Sequence, residues 1–392
     1  MDGPLTIVRD KPVRMNLLSA RHAVIMALLR HPQLSRSELS EIADVSPAAI
    51  TDVIQVFLQR GLVIESPSQA TERRRGRPIM QVELQASYAY FVGLGIAESA
   101  MPMVITDLRG QILAQEPLPF CKTPEQLLQA VRFAFSHLLK NASIPRSRVL
   151  GVGITVTGIV DAVEGICRYS AALNWRDVPI AKLIGKGLRL PAWVENDANA
   201  IAVGEKFFGH ARNSHNFSSI VLGRTIGAAH YMNEMLYRGD DGSAGEIGHI
   251  IMDPGGALCR CGRKGCLDTI AGGSALRRMA KQAGLSVRSM RDLEILSLQG
   301  SATATKLLRN AGNAVGTAVA SLIHLNNPQC VFFTDMEGFE DGVFRAATQQ
   351  AMENNLLPRF LASTQILFSD AELALLPRSA ASIAAFEYLT SL

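Results

Sequence analysis

Apolar residues recur at helical spacing through Leu17, Leu18, Val24, Ile25, Leu28 and Leu29, and Pro32 closes that segment. Ser35 followed by Glu38 is a capping-box pattern opening a short helix through Leu39, Ile42 and Ala43. Asp44 and Val45 then turn the chain. Ser46 followed by Pro47 starts another helix, an N-cap with proline at the first helical position. Its apolar face is Ile50, Val53, Ile54, Phe57 and Leu58, and Gly61 stops it. Beyond it the period shortens to that of strands. Leu62, Val63 and Ile64 form one run, and Met80, Val82 and Leu84 alternate as a return strand. The polar loop between them holds Arg73, Arg74, Arg75, Gly76, Arg77 and Pro78.

Two short helices, a tight turn and a strand pair predict a winged helix-turn-helix over residues 1–84. In that fold the second helix presents its N-terminal turn to the major groove of DNA. Here the turn exposes Ser46, Pro47, Ala48, Thr51 and Asp52. Ser and Thr hydroxyls bond base edges or phosphate, and Asp52 accepts only from cytosine N4. The face is weakly basic, so affinity must come from Arg73, Arg74, Arg75 and Arg77, an arginine strip suited to a narrow minor groove. The competing reading is a helical docking module with a charged, solvated hairpin. The arginine loop favours DNA.

After Leu84 the pattern predicts strands at 88–96, 103–107, 111–114, 148–156, 192–195, 218–222, 331–334 and 365–368. A helix is predicted at 123–139, with longer helical stretches between the later strands. This alternation predicts two α/β lobes, 85–194 and 195–376, with a C-terminal helix at about 377–392 returning to the first. No internal repeat and no low-complexity segment is visible.

Composition narrows the class. Of 392 residues 48% are apolar and only 6% aromatic, which suits α/β layers better than an all-β sandwich. The net charge of +4 announces no nucleic-acid binder over the whole chain, so the DNA reading rests on the local loop. The opening segment carries Asp2 and Asp10 and no long apolar run, unlike a signal peptide. The longest apolar candidate, 314–325, ends in Asn326, Asn327 and Pro328 and is too short for a bilayer. A soluble, cytoplasmic protein without a membrane partner is expected. In a reducing compartment, six cysteines, three of them clustered, point to metal rather than disulfides.

The cluster reads G-H-x9-C-x-C-G-x3-G-C and supplies His249, Cys259, Cys261 and Cys266. One imidazole and three thiolates make a closed tetrahedral set for zinc, with no open position for water, hence a structural site. Gly262 and Gly265 let the loop fold back on itself, and Arg260, Arg263 and Lys264 favour thiolates. The alternative is a polar loop that never binds metal. Cys121 and Cys330 read as small apolar fillers; Cys167 has no assignment.

The segments VENDANAIAVGEKFFG, AGEIGHIIMDPGGALCRCGRKGCLD and LNWRDVPI resemble the ROK family of repressors, open reading frames and sugar kinases. With a winged helix-turn-helix in front, the chain is similar to the repressor branch. The resemblance implies an actin-like, ribonuclease-H-like pair of lobes with sugar in the cleft. It places Asp197 at the kinases' catalytic base and Asn196, Glu246 and His249 at sugar ligands, His249 serving zinc with its other ring nitrogen. Gly158 matches the turn under the sugar. Asp268 stands where the family usually has Glu.

The ATP elements depart from the family. The first phosphate loop, D-x-G-G-T in the kinases, is Gly95-Ile96-Ala97-Glu98-Ser99. The second, Gly223-Arg224-Thr225-Ile226-Gly227-Ala228-Ala229-His230, has lost glycines, and Thr334-Asp335 replaces a late Gly-Gly. The resemblance therefore implies no catalytic residue, Asp197 being a relic of the base. It implies a homodimer, with a tetramer open, that binds operator DNA and answers to a sugar or sugar phosphate. The rivals are an active sugar kinase with a DNA-binding extension and a repressor released by a partner protein.

Overall fold

Capping chemistry sets the second and third helices. In the computed structural model, which describes residues 20–67, 79–97, 101–339, 341–370 and 374–392, α1 (Ala20–Arg30) is followed by a two-residue strand, β1 (Leu34–Ser35). Helix α2 (Arg36–Ile42) is closed by the expected box. Ser35 Oγ accepts from Glu38 N at 3.3 Å, and the Glu38 carboxylate accepts from Ser35 N at 2.7 Å. Ser46 caps α3 (Pro47–Gln59), with Pro47 in the first turn. The Ser40 hydroxyl donates to Val45 O at 2.6 Å and ties down the turn between α2 and α3. Strands β2 (Val63–Pro67) and β3 (Met80–Leu84) pair antiparallel, and β1 adds to the other edge of β3, giving the order β1-β3-β2. Ile25, Leu28, Leu39, Ile50, Ile54, Phe57 and Val82 are buried as the core of this head. An ion pair between Arg36 and Glu65 at 2.8 Å joins α2 to β2.

This is a winged helix-turn-helix. Leu17, Leu18 and the loop arginines Arg73, Arg74, Arg75 and Arg77 lie outside the described residues.

The described residues form two units, one ending at Gln85 and including Leu389–Leu392, the other Ala86–Tyr388. The second unit opens with a meander, β4 (Tyr90–Ile96), β5 (Met101–Asp107) and β6 (Ile112–Leu118). After α4 (Pro124–Asn141) and β7 (Val149–Val156) comes a small antiparallel sheet of β8 (Ile159–Asp161), β9 (Ile166–Ser170) and β10 (Trp175–Val178). Helix α5 (Ile180–Leu188) leads to β11 (Ala192–Asn196). The main sheet has the order β11-β7-β4-β5-β6.

Helix α6 (Asp197–Phe208) carries the chain to a second meander, β12 (Phe217–Leu222), β13 (Ile226–Met232) and β14 (Met235–Tyr237). Helices α7 (Leu267–Ala271), α8 (Gly273–Gln282), α9 (Met290–Leu298) and α10 (Ala302–Asn326) follow. Then come β15 (Cys330–Asp335), α11 (Val343–Asn355), α12 (Pro358–Ser363), β16 (Gln365–Asp370) and α13 (Leu375–Thr390). The order here is β14-β13-β12-β15-β16.

Both sheets are thus a three-strand antiparallel meander whose first strand pairs in parallel with a later, helix-connected strand, which in turn pairs in parallel with one more at the sheet edge. The duplication lies in topology and not in residue identity, which is why no repeat is visible in the sequence. The apolar run 314–325 lies in α10, where Val315, Ala318, Val319, Leu322 and Ile323 are buried, and among the described residues no helix is long and apolar enough to cross a membrane. Cys330 and Cys167 are buried, and burial pushes the Cys167 thiol up to about 11, an unreactive thiol. Cys121 is half-buried and packs against the edge of the core of the first sheet.

Helix α13 returns to the first sheet. It lies on Gly93 of β4 and Gly153 of β7, which pair across the ladder. A Cβ at Gly153 would stand 1.7 Å from Ala380 O, and one at Gly93 1.7 Å from Pro377 O. Neither neighbour is a flexible side chain, so the helix itself would have to move. Gly153→Ala is therefore expected to destabilise the protein by about 3 kcal/mol, at the upper end for an overpacked core. Urea denaturation checks this, and a variant as stable as wild type would contradict the docking of α13.

Candidate functional site

Parallel strands β7 and β11 end side by side, with Asn196 opposite Val156. Such strand ends are where open α/β sheets place ligands. Asn196 Nδ2 donates to Gly158 O at 2.7 Å, and its Oδ1 accepts from Ala198 N at 2.9 Å, capping α6. Gly158 has φ +144°, and a Cβ there would meet Tyr169 O at 2.3 Å, so the turn requires glycine. The next residue, Asp197, accepts from Thr157 Oγ1 at 2.9 Å and from Ala198 N at 2.9 Å. Burial pushes the Asp197 carboxyl up, and these two bonds oppose that shift. Glu195 has a different part. It is buried and bonded to Arg238 Nε at 2.7 Å and Asn199 Nδ2 at 3.0 Å, which fixes the start of α6.

A cavity of about 800 Å3 opens beside Asp197, with Thr157, Asp268 and Arg260 also in its wall. Asp268, on α7, is buried and accepts from Ile226 N at 2.7 Å, so its shorter side chain is tied to backbone. Burial raises its carboxyl as well. Glu246 and His249 flank the cavity but do not line it. Glu246 is half exposed, 3.6 Å from His249 Nε2.

His249 points its other nitrogen at the cysteines. Nδ1 is 3.6 Å from Cys259 Sγ, Cys261 Sγ is 3.6 Å from Cys266 Sγ, and all four donor atoms lie within 4.8 Å of one another. A tetrahedron with metal–ligand bonds of about 2.0–2.3 Å has edges near these separations. Gly262 and Gly265 both take positive φ, +86° and +72°, as the tight loop requires. Burial first, and the neighbouring thiols next, push Cys266 up to about 12. Three crowded thiols cannot all ionise without a cation among them, so the donor set fits a bound metal ion. Cys266 immediately precedes α7, and the metal loop therefore sets the start of the helix carrying Asp268. Between two of the cysteines, Arg260 reaches the cavity wall and lies within electrostatic reach of Asp197, Glu246 and Asp268.

The other end of the cavity is built differently. The turn from β12 to β13 gives its carbonyls to α8. Gly273 N donates to Gly223 O at 3.0 Å, and Ser274 N to Arg224 O at 3.1 Å. After β15 the Asp335 carboxylate accepts from Glu337 N at 2.8 Å and Gly338 N at 2.9 Å. The amides of Gly273, Ser274, Glu337 and Gly338 are thus bonded within the protein. Ala228 and Ala229 are buried in β13. Gly95 ends β4 as expected, while Glu98 and Ser99 lie outside the described residues.

In the head, Ser46, Pro47, Ala48, Thr51 and Asp52 are all exposed on the first turns of α3. The Thr51 hydroxyl donates to Pro47 O at 2.9 Å, so it faces a partner as an acceptor.

Sequence reasoning missed Thr157, Arg260 and the Arg277–Glu337 pair. Thr157 stood next to Gly158 at a strand end. Arg260 was noted only as a charge near thiols. The Arg277–Glu337 pair, which closes across 60 residues, leaves no local signal.

The profile of the ROK family matches residues 91–372, and that of the MarR family matches residues 16–74. A putative xylose repressor of Caldicellulosiruptor sp. is 27% identical over 336 residues, covering 82% of this chain and 84% of that protein. The xylose repressor of Bacillus subtilis is 28% identical over 311 residues, 79% of each chain. NagC of Escherichia coli, a DNA-binding transcriptional dual regulator, is 23% identical over 358 residues, 89% of this chain and 88% of its own. Among solved structures, a ROK family transcriptional regulator described as a homologue of E. coli MLC superposes with TM-score 0.80 at 23% identity. It covers 96% of this chain and 98% of that one. A Streptomyces griseus ROK glucokinase in complex with glucose and AMPPNP gives 0.65 at 25% identity, covering 76% and 99%.

The four donors are expected to carry about one metal ion per chain, measured by elemental analysis of the purified protein. Cys261→Ser is expected to lose the ion and lower Tm together, since a loop folded around a metal loses folding energy with it. Unchanged Tm after complete chelation would contradict the metal site.

Proposed function

Because the chain belongs to the ROK family and carries a winged helix-turn-helix ahead of the ROK match, we propose that it is a transcriptional repressor whose cleft senses a sugar. The observation that carries this is the union of a DNA-binding head with a kinase-like body whose acidic half is kept and whose amide half is closed. Relatives named xylose repressor and N-acetylglucosamine repressor support both halves of the reading.

In the head, Ser46, Pro47, Ala48, Thr51 and Asp52 enter the major groove, while Arg73, Arg74, Arg75 and Arg77 supply phosphate and minor-groove contacts. A homodimer presents two such heads to two half-sites. In the cleft, Asp197, Asn196 and Glu246 bond sugar hydroxyls, Gly158 turns beneath the ring, and Asp268 contributes from its anchored position. His249 turns Nε2 toward the sugar side and holds zinc through Nδ1, with Cys259, Cys261 and Cys266. This zinc has four protein ligands and fixes the loop. The carboxylate of Asp197 could accept a hydroxyl proton, as a kinase base does, but the amides of Gly273, Ser274, Glu337 and Gly338 at the far end of the cavity are bonded internally and do not serve a phosphoryl group. That argues against the kinase alternative, which the likeness to a glucokinase otherwise supports.

A ligand releases DNA only by preferring the state that binds DNA poorly. Moving occupancy from nearly full to nearly empty takes about 5.5 kcal/mol of differential affinity.

A thermal-shift screen of sugars and sugar phosphates identifies the ligand, because a molecule that binds only the folded state stabilises it. Asp197→Ala is then expected to weaken that ligand by about 10–100-fold, from the loss of a charge-assisted hydrogen bond of about 1.5–3 kcal/mol. Operator affinity without ligand should stay within about twofold of wild type. If Asp197→Ala and Glu246→Ala both respond to the natural signal as wild type does, the pocket is vestigial and a partner protein is the inducer.

A further inference from the structure

A second pocket, of about 520 Å3, lies between α4, the segment before β7 and the end of α5. Arg132, Arg146, Lys186 and Arg189 line it, and no carboxylate does. All four cations are exposed. Strands β7 and β11 run parallel, and the pocket is built from residues just ahead of their first residues, Val149 and Ala192. Asp197 follows the other end of β11, and the two pockets share no lining residue.

Part of this charge has an internal use. The carbonyls that end a helix carry about half a negative charge, and two arginines serve those of α5. Arg132 Nε donates to Gly187 O at 3.2 Å. Arg146 donates to Leu188 O and sits over the Phe135 ring, 5.3 Å from its centre. These contacts fix both guanidinium groups, and five N–H groups apiece leave them donors to spare. Lys186 and Arg189 have no such use. Among the described residues neither side chain forms an ion pair or a hydrogen bond. Four cations against about half a charge leave a surplus, and like charges this close repel until an anion offsets them.

We infer that this pocket is a binding site for an oligophosphate, a small molecule with two or more linked phosphate groups. A single phosphate carries about −1.5 to −2 charges at neutral pH and leaves cations over, while two or more match the surplus. The cations converge from α4, from the segment before β7 and from the end of α5. A tetrahedral phosphate accepts from several directions at once, where a planar carboxylate accepts one guanidinium fork. The recess suits a small ligand better than a duplex, whose backbone phosphates lie on a convex surface. Nothing in the site depends on a sugar in the cleft.

Isothermal titration of the full-length protein at one ionic strength tests this with inorganic tripolyphosphate and pyrophosphate, and with citrate as a carboxylate of charge similar to pyrophosphate. The pocket variant is Lys186→Gln with Arg189→Gln, which spares the two arginines bonded to α5 carbonyls. The control variant is Arg278→Gln with Arg288→Gln, exposed side chains on the wall of the cleft. Both phosphates are expected to bind wild type at least about tenfold tighter than citrate. The pocket variant should lose at least about tenfold for both phosphates with Tm unchanged, from the loss of two charge-assisted contacts. The cleft variant should bind them as wild type does. Absent phosphate binding, citrate binding as tight as pyrophosphate, or a pocket variant that binds like wild type overturns the site. A loss confined to the cleft variant also overturns it and places the anion in the cleft. Weaker duplex DNA binding by the pocket variant, with no phosphate bound by wild type, overturns it too and makes this face a DNA contact.

Discussion

Asn196 holds the junction on which the cleft depends. Its amide nitrogen bonds the carbonyl of Gly158, beyond the end of β7, and its oxygen caps α6 through Ala198 N. One side chain thus ties the end of the first sheet's central parallel strand to the helix that carries the chain into the second sheet. The next residue, Asp197, is consequently delivered to the cavity wall with its orientation set by Thr157. Glu195, buried one residue earlier and bonded to Arg238 and Asn199, holds the same junction from behind. Three successive residues, Glu195, Asn196 and Asp197, hence fix the junction and set a carboxylate in the cavity wall.

From that junction the cleft divides by the use of hydrogen bonds. On one side, carboxylates are kept at the wall and held in place by hydrogen-bond donors, Asp197 by Thr157 and Ala198 N and Asp268 by Ile226 N. The metal loop reaches the same side through Cys266, which precedes the helix of Asp268, and through Arg260 between two of the cysteines. On the other side, the amides of Gly273, Ser274, Glu337 and Gly338 are bonded to protein oxygens. Backbone donors already paired inside a protein cannot also stabilise charge on a transferring phosphoryl group without breaking those pairs. The arrangement favours holding a ligand over transforming it.

Much of this was legible in the sequence because it is local. The capping box at Ser35 and Glu38, the proline start at Pro47 and the strand alternation at Met80, Val82 and Leu84 are signals within a few residues, and each formed as expected. The His–Cys spacing likewise encodes a loop short enough to converge. What the sequence hid is long-range. The two-residue strand β1 is too short to show a period, and the matched topology of the two sheets is shared without shared residues. Asp268 looked like a shortened ligand until Ile226 N, 42 positions away, was seen to anchor it. The arginines of α8 carry no local signal of the cavity, because nothing in the nearby sequence places Arg224 and Arg288 on the same wall.

The central claim is that this cleft binds without catalysing. Phosphoryl transfer measures it most directly. Purified full-length protein, supplied with ATP, magnesium and a panel of hexoses, pentoses and N-acetylhexosamines, is predicted to form no sugar phosphate above the enzyme-free background. Sustained sugar-phosphate formation by the wild type that disappears in Asp197→Asn would contradict the account, because the relic base would then be a working one.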